Sequence, residues 1–576
     1  MQSKTLRKSY LWFLTGSGLL NAIVFTFIIL SLSFISGHHL AAWHFPLGVL
    51  IALGLNYYAA RHFLPGEFMN AFRISSLIIL AILCISILAG ALFYDISFDG
   101  QMYHLESALQ MKAGWNPFKK EIAPDYNQAI WLNHYGKGVE APQAAIYALT
   151  NKIETTKATN FILIAASFCL SLSLLIRLNR FSNRKNGLIA VLFAFNPVSM
   201  YLLLCTYVDG QLCSFLLCFI VVGWLLFLDP NRYFLVLFAS ILIIVINIKF
   251  TSIVFAAIFT IGMLFIFLIT KQKKTFQRTF IVAAVATIFA VGIVGYFPYI
   301  INLTRYHDVF YPGMKMLQSE AAKQTPDRFL SMNRFNKFFI SFFAHTDNLH
   351  LYLNKNPEIP LKIPFTINKT DILNASKPYV VYMGGFGPFF SGIFLSAIAL
   401  FALAVYRLKN WKSIFPVILI IGTILTSVFI VSEAWYARYA PQLWFVPLIL
   451  LLASETDARK NITRFRNAIY LIALLNISFT LASFPYVLYK SAQINYELAQ
   501  LKALNQIIPV QFTYYTSNRA KLLEYGIPYK EDSIPDNQAL YMVGSATKYL
   551  PPSPMPDLPK SWILRIGDRI AKRVHP

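Results

Sequence analysis

The chain has 576 residues, 57% of them hydrophobic and only 13% charged, whereas soluble domains average roughly 25% charged; with a mean hydropathy of +0.54, an ordinary soluble enzyme is excluded and a membrane protein indicated. The formal net charge of +24 would suggest nucleic acid to a soluble domain. In a multi-pass chain, basic residues collect at cytoplasmic helix ends, so no nucleic-acid partner is expected.

In chain order, apolar runs, most of them of about 18 residues or more and so enough to cross roughly 30 Å of hydrocarbon as a helix, predict spans at about 11–36, 40–60, 74–93, 159–176, 187–205, 211–228, 233–248, 250–270, 279–301, 385–406, 414–431, 440–453 and 467–489. The first run is too long for a signal-peptide core and lacks a small-residue cleavage site, so it reads as a retained span. Basic clusters (Lys4/Arg7/Lys8, Arg61/Arg73, Arg177 to Lys185, Arg232, Lys271 to Arg278, Arg407 to Lys412, Arg459 to Arg466) fall on alternate connections. By the positive-inside rule this sets a cytoplasmic N-terminus, and the low charge, Lys/Asn/Ile-rich usage and lack of cysteines in the long polar segments fit an inner (plasma) membrane. The five cysteines (Cys84, Cys169, Cys205, Cys213, Cys218) lie in or beside apolar runs, with neither a disulfide framework nor zinc spacing.

The long polar segments then share the opposite, extracytoplasmic face: 94–158, 302–384 and the tail after about residue 490. The tail joins a helical pattern, "KLLEYGI", to a strand-like run, "ALYMVG", and a Pro-rich linker before a basic end. The expected fold is an all-α polytopic membrane protein with about thirteen transmembrane helices over 1–490 and a small extracytoplasmic α/β domain over 491–576.

The first outer segment opens "YDISFDGQMYHLESALQMKAGWNPF". Met102, Leu105, Leu109 and Ala113 recur at three- or four-residue intervals, predicting an amphipathic helix on the membrane surface, with Gly114 ending it and Asp99 placed to cap it. Other polar residues gather at outer span ends: Lys137 between two glycines, Asp209 in "TYVDGQ", Lys249 in "NIKFTS", and Glu433 and Arg438 in "SEAWYARYAP". Together they describe acids and bases beside the outer leaflet, suited to moving a group from a lipid phosphate to a hydroxyl or amine. A carboxylate would deprotonate the acceptor, while Lys and Arg would stabilise charge on the departing phosphate. Asp99 is the first candidate base and Asp95 the second. Lys249, in an apolar stretch, requires a partner or an anionic ligand, and Arg438 would either clamp a phosphate or pair with Glu433. Turn chemistry before Gly210 also accounts for Asp209. No metal is required, although carboxylates and His at a phosphate site would accept a divalent cation.

The stretches "FDGQMYHLESALQMKAGWNPF", "NHYGKG", Asn196-Pro197, "YHDVFYP" and "ARYAPQLWFVP" resemble the polytopic C-type (GT-C) glycosyltransferases, especially bacterial relatives of the protein O-mannosyltransferases and of the lipid A aminoarabinose transferase. The resemblance covers roughly Asp95 to Trp444. It implies a GT-C fold and transfer of a sugar from a polyprenyl-phosphate donor to a glycan, lipid or protein acceptor, by inverting displacement outside the membrane. It further implies Asp99, with Asp95 in reserve, as the acid of the first outer loop; on their own chemistry Lys249, Arg438 and Lys137 are the candidate phosphate ligands. Tyr103, His104, Asp209 and Glu433 would then contact substrate. The chain departs from the family in carrying two extra N-terminal spans and in separating by four residues the acids that many relatives hold adjacent. The alternative from another class is a transporter or flippase of lipid-linked glycans, which would place ionisable groups along a path through the spans.

Overall fold

A computed structural model describes residues 2–313, 325–346, 361–375, 381–408 and 411–574. Parts of the expected second outer segment, 314–324, 347–360 and 376–380, lie outside the described residues. Among the described residues the chain is mostly helical with one small sheet. Among the described residues, eight helices are long and apolar enough to cross a membrane: Thr5–Ile35, Phe68–Leu92, Ile153–Leu178, Asp209–Leu228, Phe250–Ile269, Lys273–Gly292, Phe390–Arg407 and Lys460–Leu504. This is a multi-pass helical membrane protein. Three shorter apolar helices, Arg232–Ile246, Ile414–Phe429 and Pro441–Thr456, accompany them.

The expected run 187–205 is not one helix. Asn183–Ala194 ends before Asn196, whose side chain accepts from the Val198 N–H and caps the short helix Pro197–Tyr201. Proline lacks the N–H needed to continue the ladder, and the residue before it is driven out of the helical region. Burial separates centre from rim: 72% of the most apolar window of Asp209–Leu228 is buried, against 28% for Phe68–Leu92 and Lys273–Gly292. Rim helices keep apolar faces outward because lipid, unlike water, does not drive those faces inward.

The polar ends of these helices form two separate sets of ion pairs. At one end Arg177 pairs with Asp229 at 2.8 Å, and Glu455 holds both Lys185 at 2.6 Å and Arg466 at 2.9 Å. The other end carries the first polar segment, the turn at Arg438 and the C-terminal domain. The long helix ending at Leu504 runs into that domain, where Ile494, Leu498 and Leu501 pack with Ile508, Val510, Phe512 and Leu522. The sheet order is β2-β1-β4-β3, with β1 (Ile508–Gln511) parallel to β2 (Tyr529–Glu531) and antiparallel to β4 (Lys548–Tyr549), which also pairs antiparallel with β3 (Leu540–Tyr541). Helix Arg519–Tyr525 makes the crossover that a parallel pair requires.

Helix Leu105–Lys112 corrects the expected membrane-surface helix. Its residues Leu105 to Leu109 and Met111 are all buried, because the flanking segments and the C-terminal domain cover the side that the apolar spacing left open. Leu105 and Leu109 pack against Tyr147, Ile153 and Ala520. Its end is as expected: Gly114 adopts φ +100°, and the Trp115 N–H reaches back to the Gln110 carbonyl at 2.9 Å.

Candidate functional site

Asp95 and Asp99 carry the same group four residues apart and have opposite surroundings. The Asp95 side chain is fully buried. One oxygen accepts from the Ser97 N–H at 2.8 Å and the Ser97 hydroxyl at 2.5 Å; the other accepts from the Thr206 N–H at 2.8 Å and the Thr206 hydroxyl at 2.7 Å. Four good donors fill the acceptor capacity of a carboxylate. Asp95 therefore ties the first polar segment to the turn that carries Tyr207 and Asp209.

Asp99 sits at the start of a π-helical turn, Gly100–His104, with helical dihedrals and no capping hydrogen bond from its side chain. The expected cap is thus corrected: Asp99 lies inside the helical path, where its side chain points away from the first-turn amides. Its carboxylate meets Arg438, with Nη1 to Oδ2 at 3.1 Å, and is 21% exposed, more than any other member of the cluster. Its backbone N–H donates to the Tyr207 hydroxyl at 3.1 Å.

Arg438 links the two acids of the site. Its Nε lies 3.7 Å from Asp209 Oδ2, and its Nη2 donates to the Tyr439 hydroxyl at 3.2 Å. The guanidinium lies 4.8 Å from the ring centre of Tyr207, 5.2 Å from Tyr439 and 5.3 Å from Tyr436. Aromatic faces attract a desolvated cation. The 3₁₀ turn bearing Arg438, Ala437–Tyr439, leads into a second, Pro441–Trp444, which is fixed from outside: Asn196 Nδ2 donates to the Pro441 carbonyl at 2.8 Å, and Trp444 Nε1 to the Leu192 carbonyl at 2.8 Å. The broken helix at Asn196-Pro197 thereby anchors the turn that immediately follows Arg438.

Asp209 is in the first turn of Asp209–Leu228, where the helix dipole favours a negative charge. It pairs directly with Lys249, which immediately precedes Phe250–Ile269 and is also 5.6 Å from the Tyr439 ring. A cation at a helix N-terminus opposes the dipole, and the Asp209 carboxylate offsets it. Four side chains from four distant stretches thus form one alternating series: Asp99, Arg438, Asp209, Lys249.

A second group adjoins it. Glu140 accepts from His104 Nδ1 at 2.7 Å, Lys137 Nζ at 2.6 Å and the Ser107 hydroxyl at 2.6 Å. Burial would push the Glu140 carboxyl up; Lys137 and His104 outweigh it and hold it below the usual carboxylate range. Lys137 is not carried on a free glycine loop. The Gly138 N–H donates to the Asn247 carbonyl at 2.7 Å, and a Cβ at Gly138 would come within 2.8 Å of that carbonyl. The two glycines allow "NHYGKG" to lie flat on the turn that presents Lys249. Tyr103 stacks on Trp131 at 5.6 Å and lies 4.3 Å from the His104 ring.

Glu433 stands apart from this arrangement. It accepts from Trp435 Nε1 and, at 3.3 Å, from the Thr325 hydroxyl, so the expected pairing with Arg438 is replaced by Asp99 and Asp209. The residues the sequence reading missed are Glu140 and the tyrosines at 207 and 436. Glu140 follows Lys137 by three residues, a spacing that favours an ion pair on a helix start; Tyr207 and Tyr436 lie inside stretches already notable for their charges.

Among the described residues, no group of three or more His, Cys, Asp or Glu side chains is arranged to hold a metal ion. No protein-family model matches the chain, and no curated protein matches it in sequence. The geometry of the site therefore carries the functional reading.

Proposed function

We propose that this protein is a membrane glycosyltransferase of GT-C type that transfers a sugar from a polyprenyl-phosphate donor to an acceptor on the extracytoplasmic face. The observation that supports it is the series Asp99, Arg438, Asp209, Lys249 at one end of the bundle, with its most exposed member a carboxylate. In the reaction, the acceptor hydroxyl gives its proton to Asp99 as its oxygen bonds to the sugar's anomeric carbon. The bond from that carbon to the phosphate oxygen breaks, and the polyprenyl phosphate leaves with the electron pair. Arg438 has guanidinium hydrogens beyond those directed at Asp99 and Tyr439, and with Lys249 it would carry the phosphate charge. Lys137 and Glu140 support the Lys249 turn, and Asp95 positions rather than reacts.

In this reading the three shorter apolar helices, together with His44–Phe63 and the broken pair Asn183–Ala194 and Pro197–Tyr201, bring the spans to the expected thirteen. The N-terminus is cytoplasmic and the C-terminal domain outside. Purified protein in liposomes containing a labelled polyprenyl-phosphate sugar, incubated with envelope acceptor extract, should yield label covalently attached to the acceptor. Label that crosses the bilayer without forming a covalent product would favour the flippase and contradict the proposal.

A further inference from the structure

The end of the chain takes no part in the proposed chemistry, and its composition is unlike that of the rest of the C-terminal domain. Helix Trp562–Val574 reads "WILRIGDRIAKRV", and at about 100° per residue its side chains divide into three arcs. Leu564, Gly567 and Asp568 face the long helix: Leu564 is buried, Gly567 lies against the Tyr489 ring, and Asp568 accepts from the Tyr489 hydroxyl at 2.9 Å. Trp562, Ile566 and Ile570 form a stripe turned away from the protein, 65%, 44% and 57% exposed. Arg565, Arg569 and Lys572 form the third arc, all exposed. The single carboxylate, Asp568, is already held by Lys560 at 2.8 Å and Tyr489, so the outward faces carry apolar and positive groups alone.

The depth of this helix follows from how the chain reaches it. After the sheet, the Pro-rich linker runs back down the long helix: the Pro556 carbonyl accepts from Gln500, Asp557 from the Tyr496 hydroxyl, and Asp568 from Tyr489. From Gln500 to Tyr489 is about 16 Å along the axis, at roughly 1.5 Å per residue. Just beyond Tyr489 toward the bundle, Leu481 and Tyr486 turn outward, 43% and 45% exposed, on a helix long and apolar enough to span. Tyr489 and Lys490 stand where that apolar stretch ends, the residue types that mark a membrane interface.

We propose that Trp562–Val574 lies in the bilayer interface, its Trp562, Ile566 and Ile570 stripe among the acyl chains and Arg565, Arg569 and Lys572 on the phosphates of anionic lipids. An amphipathic helix with a strongly polar arc binds in this way, its apolar face about 5–10 Å into the headgroup boundary. The helix pins the C-terminal domain to the membrane plane. Nothing in this inference depends on the glycosyl-transfer reading.

The test uses the full chain in nanodiscs with lipids brominated in mid-chain. The chain has nine tryptophans, so Trp562 emission is taken as the difference between the native protein and Trp562→Phe. Bromolipid should quench that emission, as expected of an indole on a face about 5–10 Å into the headgroup boundary, while aqueous acrylamide should quench it weakly. Quenching should be stronger in phosphatidylglycerol than in phosphatidylcholine, and the combined Arg565→Gln, Arg569→Gln and Lys572→Gln variant should lose that preference. Emission open to acrylamide but not to bromolipid would overturn the proposal, as would shielding from both, which would mean that protein covers the stripe. Equal quenching in the two lipids would overturn the assignment of the basic arc.

Discussion

The two ends of the bundle each bury an arginine against carboxylate, one at Arg466 and two at Arg438, and the arginines are held in different ways. Arg466, with a side chain 1% exposed, donates through Nη1 to the Ser454 and Asp457 carbonyls at 2.7 and 3.2 Å and reaches the Thr463 hydroxyl at 3.3 Å, besides pairing with Glu455. Arg438 binds side chains alone: Asp99, Asp209 and the Tyr439 hydroxyl, within a ring of tyrosines. Backbone carbonyls cannot leave without unfolding the turn that bears them, whereas carboxylates and phenols can rotate and let a ligand take their place. Under the proposed function, the same residue type would act as a rivet at one end and as a receptor at the other.

One substitution applied at both ends sharpens this contrast most. Arg438→Lys keeps the charge but not the planar fork; sugar transfer should fall about 10²-fold, the scale of losing one preorganised donor, with the thermal midpoint nearly unchanged. Arg466→Lys should do the reverse. Losing its carbonyl bonds should destabilise the fold by about 1–3 kcal/mol, read as a lower thermal midpoint, while transfer per folded molecule is retained. Loss of activity without loss of stability at Arg466 would break the comparison.

A smaller effect is expected at Asp95. Asp95→Asn turns an amide donor toward either the Ser97 or the Thr206 N–H and should destabilise by about 1–3 kcal/mol, leaving turnover per folded molecule within a few-fold. A collapse of turnover with unchanged stability would instead make Asp95 the reacting group.

The smallest effect concerns pH. Glu524 is exposed on one side, but loss of water where its carboxylate meets Ile153 and Tyr147 pushes its pKa up to about 7, against the Ile153 N–H that favours the charged form, and the Glu154 charge adds to the rise. The folded protein thus binds this proton more tightly than the unfolded chain, whose carboxyl titrates near 4.3. Its contribution is fully present below that value and is lost as pH rises toward 7 and beyond. The thermal midpoint should decline over this window, and Glu524→Gln should flatten the decline; an unchanged slope in the variant would remove Glu524 from the linkage.

Much of the site was legible before any fold was known, because charge at the end of an apolar run needs an explanation. Asp99, Asp209, Lys249 and Arg438 are noticeable for that reason, and the structure brings them together. The partnering was not legible. Nothing near Asp95 in sequence announces Thr206, and nothing near Arg438 announces Asp99, so a filled carboxylate and an open one look alike along the chain. Periodicity likewise gave Leu105–Lys112 an apolar face without saying whether lipid or protein would cover it. The break at 196 had its signal in the proline, but hydropathy alone ran through it. The sheet strands are two to four residues long, too short for alternation to register beyond "ALYMVG".

The most direct test of the central claim is the single-turnover rate of sugar transfer by purified Asp99→Asn, compared with the native protein at equal thermal midpoint. The account predicts a fall of about 10²–10⁴-fold, the usual worth of a general base. A native rate from a folded Asp99→Asn protein would contradict it.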